Sequence, residues 1–183
     1  MVLMDEAMRE TIVETEQIFD GHLIKLDRHK VQLPNEKHSI REIVRHPGAV
    51  AIVALDDDNN VLLVRQFRLA ANKVMLEIPA GTLEPDEEPE QCAIRELQEE
   101  AKYKPQKVKS LGGIYTAPGY TTEFIHLFLA TDLVQASLKP DDDEFIEVLR
   151  IPIADTLAMI DDGRIDDGKT VAGLLRAYRH LGL

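Results

Sequence analysis

Arg95, Glu96, Glu99 and Glu100 stand close together in the stretch GTLEPDEEPEQCAIRELQEEAKY, residues 81–103. On a helix, Glu96 and Glu100 are four apart and share a face, and Glu99 lies beside them at three from Glu96. Carboxylates packed this way repel by roughly 0.2–0.5 kcal/mol per i,i+4 pair on an exposed helix. Arg95 offsets part of that by pairing with Glu99 on the next turn. A hard divalent cation offsets more, because Mg²⁺ takes oxygen ligands and prefers one or two carboxylates together with substrate phosphates. A solvated acidic face is the plainer alternative, and the carboxylates by themselves leave both readings open.

The elements that must position this face are legible around it. Pro89 suits a first helical turn, with Asp86, Glu87 and Glu88 near the positive end of the dipole. Ala93, Leu97 and Ala101 then recur every fourth residue as an apolar stripe. Upstream, Val74 to Ile78 reads as a short strand ending at Pro79-Ala80-Gly81. Ala49 to Leu55 (AVAIVAL) is a continuous apolar run, as expected of a strand buried on both faces, and the turn Asp56 to Asn60 leads into a strand over Val61 to Gln66. Val108 to Tyr115 and Glu123 to Ala130 are predicted strands joined by a loop over Thr116 to Thr121. A polar loop, Lys139 to Glu144, precedes a strand over Phe145 to Ile151, and helices are predicted over Ala154 to Ile160 and Thr170 to Leu181. Strands and helices in this order, without regular βαβ alternation, indicate an α/β sandwich with a mixed sheet.

The first 45 residues are predicted as a small antiparallel β region, separate from a domain over 46–183. Residues 1–14 read as a frayed or helical start. Glu16 to Phe19 and Leu23 to Leu33 form a hairpin around Asp20-Gly21, and Ser39 to Arg45 is a further strand. The region has too few apolar residues for a core of its own and needs a neighbour, of which a second copy is the simplest.

Composition narrows the function classes. The chain has 183 residues, 44% of them hydrophobic and 30% charged, which is ordinary for a globular protein. A net charge of −12 without a basic patch argues against nucleic acid or an anionic membrane as partner. An acidic protein acting on an anion needs local cations. The lone Cys92 excludes an intramolecular disulfide and a cysteine-built zinc site. No apolar run reaches the roughly 18 residues of a membrane span, and the first residues hold no signal-peptide core, so the expected location is cytoplasmic.

Gly81, Glu87, Arg95, Glu96, Leu97, Glu99 and Glu100 stand at the spacing of the Nudix box, which the stretch resembles. Two positions depart from that pattern: Lys102 replaces a glycine and Tyr103 an aliphatic residue. From about Phe19 onward the chain is similar to the ADP-ribose pyrophosphatase subfamily. Pro118 stands at its marker position, Arg65-Gln66-Phe67-Arg68 and Leu76-Glu77-Ile78-Pro79-Ala80-Gly81 resemble its strands, and Arg41-Glu42 and Asp143 to Val148 also match. Tyr120 resembles instead the marker of dinucleoside polyphosphate hydrolases.

The resemblance implies a Nudix-type α/β/α sandwich with a mixed sheet. It also implies hydrolysis of ADP-ribose to AMP and ribose 5-phosphate with Mg²⁺ or Mn²⁺. On it, Glu96, Glu100 and the carbonyl of Ala80 are expected metal ligands, Glu99 supports the site, and Arg95 orients the glutamates. Glu87 stays open between helping the metal site and favouring the helix N-terminus. Arg41, Glu42, Arg68 and Pro118 are expected at the substrate, and Glu144, with Asp142 in reserve, as the remaining catalytic carboxylate, serving as general base or as an extra metal ligand. The subfamily further implies a homodimer with exchanged N-terminal regions. Dinucleoside polyphosphates and nucleotide sugars are the alternative substrates. A silent nucleotide-binding module is disfavoured because every box glutamate is present.

Overall fold

The computed structural model describes residues 6–139 and 145–183, which form two compact units. The first comprises the chain up to Pro47 together with Ala117–Glu123; the second comprises Gly48–Thr116 and Phe124–Leu183.

The first unit is an antiparallel sheet of β1 (Thr11–Asp20), β2 (Lys25–Gln32) and β3 (His38–Arg45), in that order. The hairpin expected at Asp20-Gly21 forms, with the Gly21 amide donating to the Ile24 carbonyl at 3.0 Å. β1 starts at Thr11, inside the segment expected to be frayed or helical. The β-branched residues Thr11, Ile12, Val13 and Thr15 explain this, since such side chains suit a pleated surface better than a helix. Every residue of β1 is exposed. Loop 117–123 joins this unit through β3: the Val44 amide donates to the Tyr120 carbonyl at 2.8 Å, and the Thr122 amide to the Val44 carbonyl at 3.0 Å.

The second unit is built on a seven-stranded sheet. Its elements in chain order are β4 (Ala49–Leu55), β5 (Asn60–Arg68), β6 (Lys73–Glu77), β7 (Ala80–Thr82), α1 (Pro89–Glu100), β8 (Tyr103–Tyr115), β9 (Phe124–Gln135), β10 (Glu147–Pro152), α2 (Ile153–Asp161) and α3 (Gly168–Leu181). The strand order is β10-β5-β4-β9-β8, with β6 added to β5 and β7 to β4. β4 and β9 run parallel and the other pairs antiparallel, so the sheet is mixed as expected.

β4 shows why the apolar run has no alternation: all seven of its residues are buried. Ala49, Ala51, Val53 and Leu55 face a core shared with Met159, Leu174, Ala177 and Tyr178 of α2 and α3. Val50, Ile52 and Ala54 face the other way, onto Cys92, Ala93 and Leu97 of α1. Each of the larger side chains gains roughly 1.5–3 kcal/mol from full burial, which fixes this segment at the centre of the sandwich. α3 comes close to the sheet at Gly173, where a Cβ would stand 2.7 Å from the Ile78 Cδ1.

Several strands differ from expectation. β8 begins at Tyr103 rather than Val108; it lies at the end of the sheet order, where Pro105 costs no ladder bond to a further strand. β7 is three residues long, too short for a periodic signal, and is placed by pairing with β4 from Ala49–Thr82 to Ala51–Ala80. β10 starts at Glu147, two residues later than read from the sequence. Among the described residues no helix is long and apolar enough to cross a membrane.

Candidate active site

α1 carries the acidic face, and its stripe turns it toward the sheet. Cys92, Ala93 and Leu97 are buried, and they take Glu96 and Glu100 down with them to 8% and 5% exposure. A solvated acidic face would not be buried, so that alternative is set aside for these two. β7 then closes over them. The Ala80 amide donates to Glu100 Oε2 at 3.2 Å. A Cβ on Gly81 would fall 1.9 Å from the carboxylate carbon of Glu96, so any side chain here would displace the carboxylate from its present place.

The backbone of β7 also points its polar groups at α1. Ile52 donates to the Pro79 carbonyl and Leu83 to the Gly48 carbonyl, which places Ala80 and Thr82 at the positions turned away from β4. Thr82 confirms the direction, since its carbonyl accepts from Cys92 Sγ and Arg95 Nη2 of α1. Ala80, two residues earlier, turns the same edge toward Glu100.

Arg95 organises the carboxylates. Its Nε and Nη2 donate to the two oxygens of Glu87 at 2.8 and 2.9 Å, and its Nη1 donates to Glu96 at 2.7 Å and to Glu99 at 2.9 Å. The pairing with Glu99 is the one its spacing predicts. Glu87, just ahead of the helix start, is the bidentate partner of Arg95 and also accepts from the Glu84 amide at 3.1 Å. Hydrogen bonds from Arg95 hold the Glu87 carboxyl down at about 2, against the opposing effect of burial. In return, Glu87 pushes the Arg95 guanidinium well above its ordinary value. Burial, and then Glu87, push the Cys92 thiol up, so this buried cysteine stays protonated.

These donors suit a hard divalent cation: two buried carboxylates, an outward backbone carbonyl at Ala80, and no side chain at residue 81. Among the described residues no three His, Cys, Asp or Glu side chains converge as a finished cage. A cation with this protein shell completes its coordination with water and substrate oxygen, as is usual for Mg²⁺.

A second network, absent from the sequence reading, borders this face. Glu77 is 1% exposed and accepts from Arg68 Nε at 2.8 Å and Arg68 Nη2 at 2.7 Å. Lys169 Nζ donates to Glu77 Oε2 and, at 3.0 Å, to Asp167 Oδ2. Asp167 caps α3 by accepting from the Thr170 amide at 3.0 Å, and Thr170 Oγ1 accepts from the Ile78 amide at 3.0 Å. Burial opposes ionisation of Glu77, but Arg68 and Lys169 outweigh it and hold the carboxyl below its ordinary range. A carboxylate flanked by Leu76 and Ile78 was the one signal available, and its partners lie too far off in sequence to be inferred.

The structure thus brings Ala80, Gly81, Arg95, Glu96, Glu99 and Glu100 together, with Arg68 within electrostatic reach of Glu100. Arg41, Glu42 and Pro118 belong to the other unit. There Arg41 Nε donates to Glu10 at 3.0 Å, with further hydrogen bonds to Ser39 and Ile40, and Glu42 lies 3.7 Å from Arg28. Glu144 and Asp142 lie outside the described residues.

Known proteins share both the sequence and the architecture. The NUDIX domain family model matches residues 45–174. An ADP-ribose pyrophosphatase of Bacillus subtilis is 42% identical over 167 residues, covering 90% of this chain and 90% of its own. A methanol dehydrogenase activator of Bacillus methanolicus is 41% identical over 170 residues, 92% of each chain. A GDP-mannose pyrophosphatase of Yersinia enterocolitica is 38% identical over 151 residues, 77% of this chain and 78% of its own. A solved structure of an ADP compounds hydrolase superposes with a TM-score of 0.86 over 95% of both chains at 23% identity, a likeness of fold.

Proposed function

The chain belongs to the NUDIX domain family of hydrolases, and from that premise we propose that it cleaves the pyrophosphate bond of ADP-ribose to give AMP and ribose 5-phosphate. The observation that carries this reading is the likeness to the ADP-ribose pyrophosphatase of Bacillus subtilis over 90% of each chain, which extends beyond the box into the N-terminal region.

In the proposed reaction water adds to one phosphorus and the bridging P–O bond breaks, the bridging oxygen leaving with the other phosphate. A bound divalent cation, Mg²⁺ or Mn²⁺, supplies neutralisation of the charge that develops on the phosphoryl oxygens. Glu96, Glu100 and the Ala80 carbonyl are the groups that would hold it. Glu99 and Arg95 keep the carboxylates in place, Arg95 by spreading four hydrogen bonds over three of them. Arg68 is assigned to the substrate's phosphates, and Glu144 to accepting the proton of the attacking water, with Asp142 in reserve. Arg41, Glu42 and Pro118 are assigned to the remainder of the substrate.

The working unit is proposed to be a homodimer. β1 exposes Ile12, Val13, Ile18 and Phe19, and Leu23 and Ile40 are exposed beside it, an apolar surface that a second copy would cover. The proposed setting is the cytoplasm without nucleic-acid or membrane partners, since a charge of −12 repels polyanionic surfaces. Nucleotide sugars are the second reading, favoured by the likeness to a GDP-mannose pyrophosphatase. A panel of ADP-ribose, GDP-mannose and diadenosine polyphosphates with Mg²⁺ tests both, with ADP-ribose expected to give the highest kcat/KM. A higher value for any of the others would replace ADP-ribose as the substrate.

A further inference from the structure

Glu77 sits in the last position of β6, three residues before the box-edge alanine Ala80, and it is fully buried. A carboxylate there is a poor way to stabilise a core, since replacing a buried ion pair with apolar side chains of similar volume is often neutral or favourable. Lys169 makes the same point from the other side. It lies in the first turn of α3, where the helix dipole disfavours a cation, so α3 does not account for it and Glu77 does. Lys169 is itself only 12% exposed.

The geometry around Arg68 gives this pair a purpose. Arg68 comes from β5, which pairs with β6 from Val64–Glu77 to Arg68–Lys73. Its Nε and Nη2 are both spent on Glu77 in a fork-to-fork contact. Its Nη1 meets no acceptor among the described residues, and the side chain remains 41% exposed. The guanidinium is therefore locked along one edge and open along the other. An arginine at an exposed strand end otherwise samples many rotamers, and ordering it on substrate binding costs affinity.

We propose that Glu77 is a positioning residue for substrate binding: it fixes Arg68 in advance so that the open edge of the guanidinium meets a pyrophosphate oxygen of the nucleotide. Lys169, itself held by Asp167, completes the device from α3 by donating to the carboxylate oxygen at the Arg68 Nη2 side. Thr170, holding the Ile78 amide, ties the same network to the segment that leads into Ala80 and Gly81. The inference rests on the reading of the chain as a pyrophosphatase and holds for any nucleoside diphosphate substrate.

The test is a double-mutant cycle read in kcat/KM, with Tm measured alongside. Glu77→Gln should lower kcat/KM by ~10-fold or more, chiefly through KM, because the lost order is lost from the bound ground state as well as the transition state. Arg68→Ala should lose at least as much, and Arg68→Ala with Glu77→Gln should be no slower than Arg68→Ala alone. Losses that multiply would overturn the inference, since Glu77 would then act without Arg68. Should Glu77→Gln fail to fold, Arg68→Lys against Arg68→Ala decides: an ammonium cannot hold Glu77 bidentately and reach the substrate, so lysine should restore almost nothing. Restoration of most activity by lysine would show that charge, not positioning, is what residue 68 supplies. The cycle is run on whichever substrate the wild type prefers, so a preference for GDP-mannose would defeat the ADP-ribose reading and leave this test intact.

Discussion

Gly81 and Glu96 are a single requirement expressed at two residues. The Cβ of an alanine at 81 would overlap the Glu96 carboxylate, but that carboxylate is the far end of a flexible side chain and can swing aside at the cost of its present contacts. Gly81→Ala should therefore keep its Tm within a few degrees while turnover falls by ~10²-fold, a few kcal/mol of lost transition-state stabilisation. Full turnover in a folded Gly81→Ala protein would remove Glu96 from the reaction. Glu100→Gln is the companion experiment: the amide oxygen still accepts from Ala80, so the fold should persist while kcat drops by at least ~10²-fold. Glu87 behaves differently, through pH. Its carboxyl titrates in the fold at about 2, below the ordinary 4.5, so the stability it contributes is whole above about pH 4.5 and drains as pH falls toward 2. Glu87→Gln should lower Tm at pH 7 and converge on the wild type near pH 2, which thermal melts across that window would check. Arg95, Glu96, Glu99 and Glu100 were legible as a group because their spacing lies within one helix, whereas Gly81 and Glu87 precede it and were matched only through the resemblance. The Glu77 network was not, because its partners are 9 and 92 residues away in sequence.

At the scale of elements, the sequence reading succeeded where one physical signal dominated. β4 is apolar on both faces because it is sandwiched, and α1 is bounded by a proline at its first position. The reading lost residues where tertiary context decided: β8 extends back through a proline permitted by its edge position, and β7 exists only as a partner of β4. The end of α1 is a case where the departure from the family's pattern has a measurable consequence. Lys102 adopts φ 64°, the left-handed conformation for which the pattern supplies glycine. Lys102→Gly should relieve about 1 kcal/mol of backbone strain and raise Tm, with kcat unchanged because no carboxylate moves. A well-folded Lys102→Gly protein with much reduced turnover would assign Lys102 a part in catalysis.

For the whole molecule, the prediction is a shared active site. Arg41 is expected to serve the substrate, yet within its own unit its guanidinium is taken up by Glu10, Ser39 and Ile40. If Arg41 instead serves the partner's substrate in a homodimer, Arg41→Ala and Glu100→Gln chains should complement: after subunit exchange, one site of each mixed dimer carries neither lesion. Sedimentation showing a monomer, or demonstrated exchange without recovery of activity, would defeat the shared site. The expectation of a dimer comes from the resemblance; the strand pattern added only that the N-terminal region lacks a core.

The parallel pairing of β4 with β9 bears on when, during folding, there is an active site at all. β5, β6, β7, α1 and β8 all lie between these two strands in the chain, so their ladder closes a long loop and forms against a large entropic cost. Until it closes, β4 lacks a neighbour on one side and the core that buries Glu96 and Glu100 is incomplete. On a chain made amino end first, the box is synthesised well before β9, and for that interval its glutamates belong to a loose acidic segment. On the proposed reading, the capacity to hold a cation then arrives late and all at once, as a property of the finished sheet.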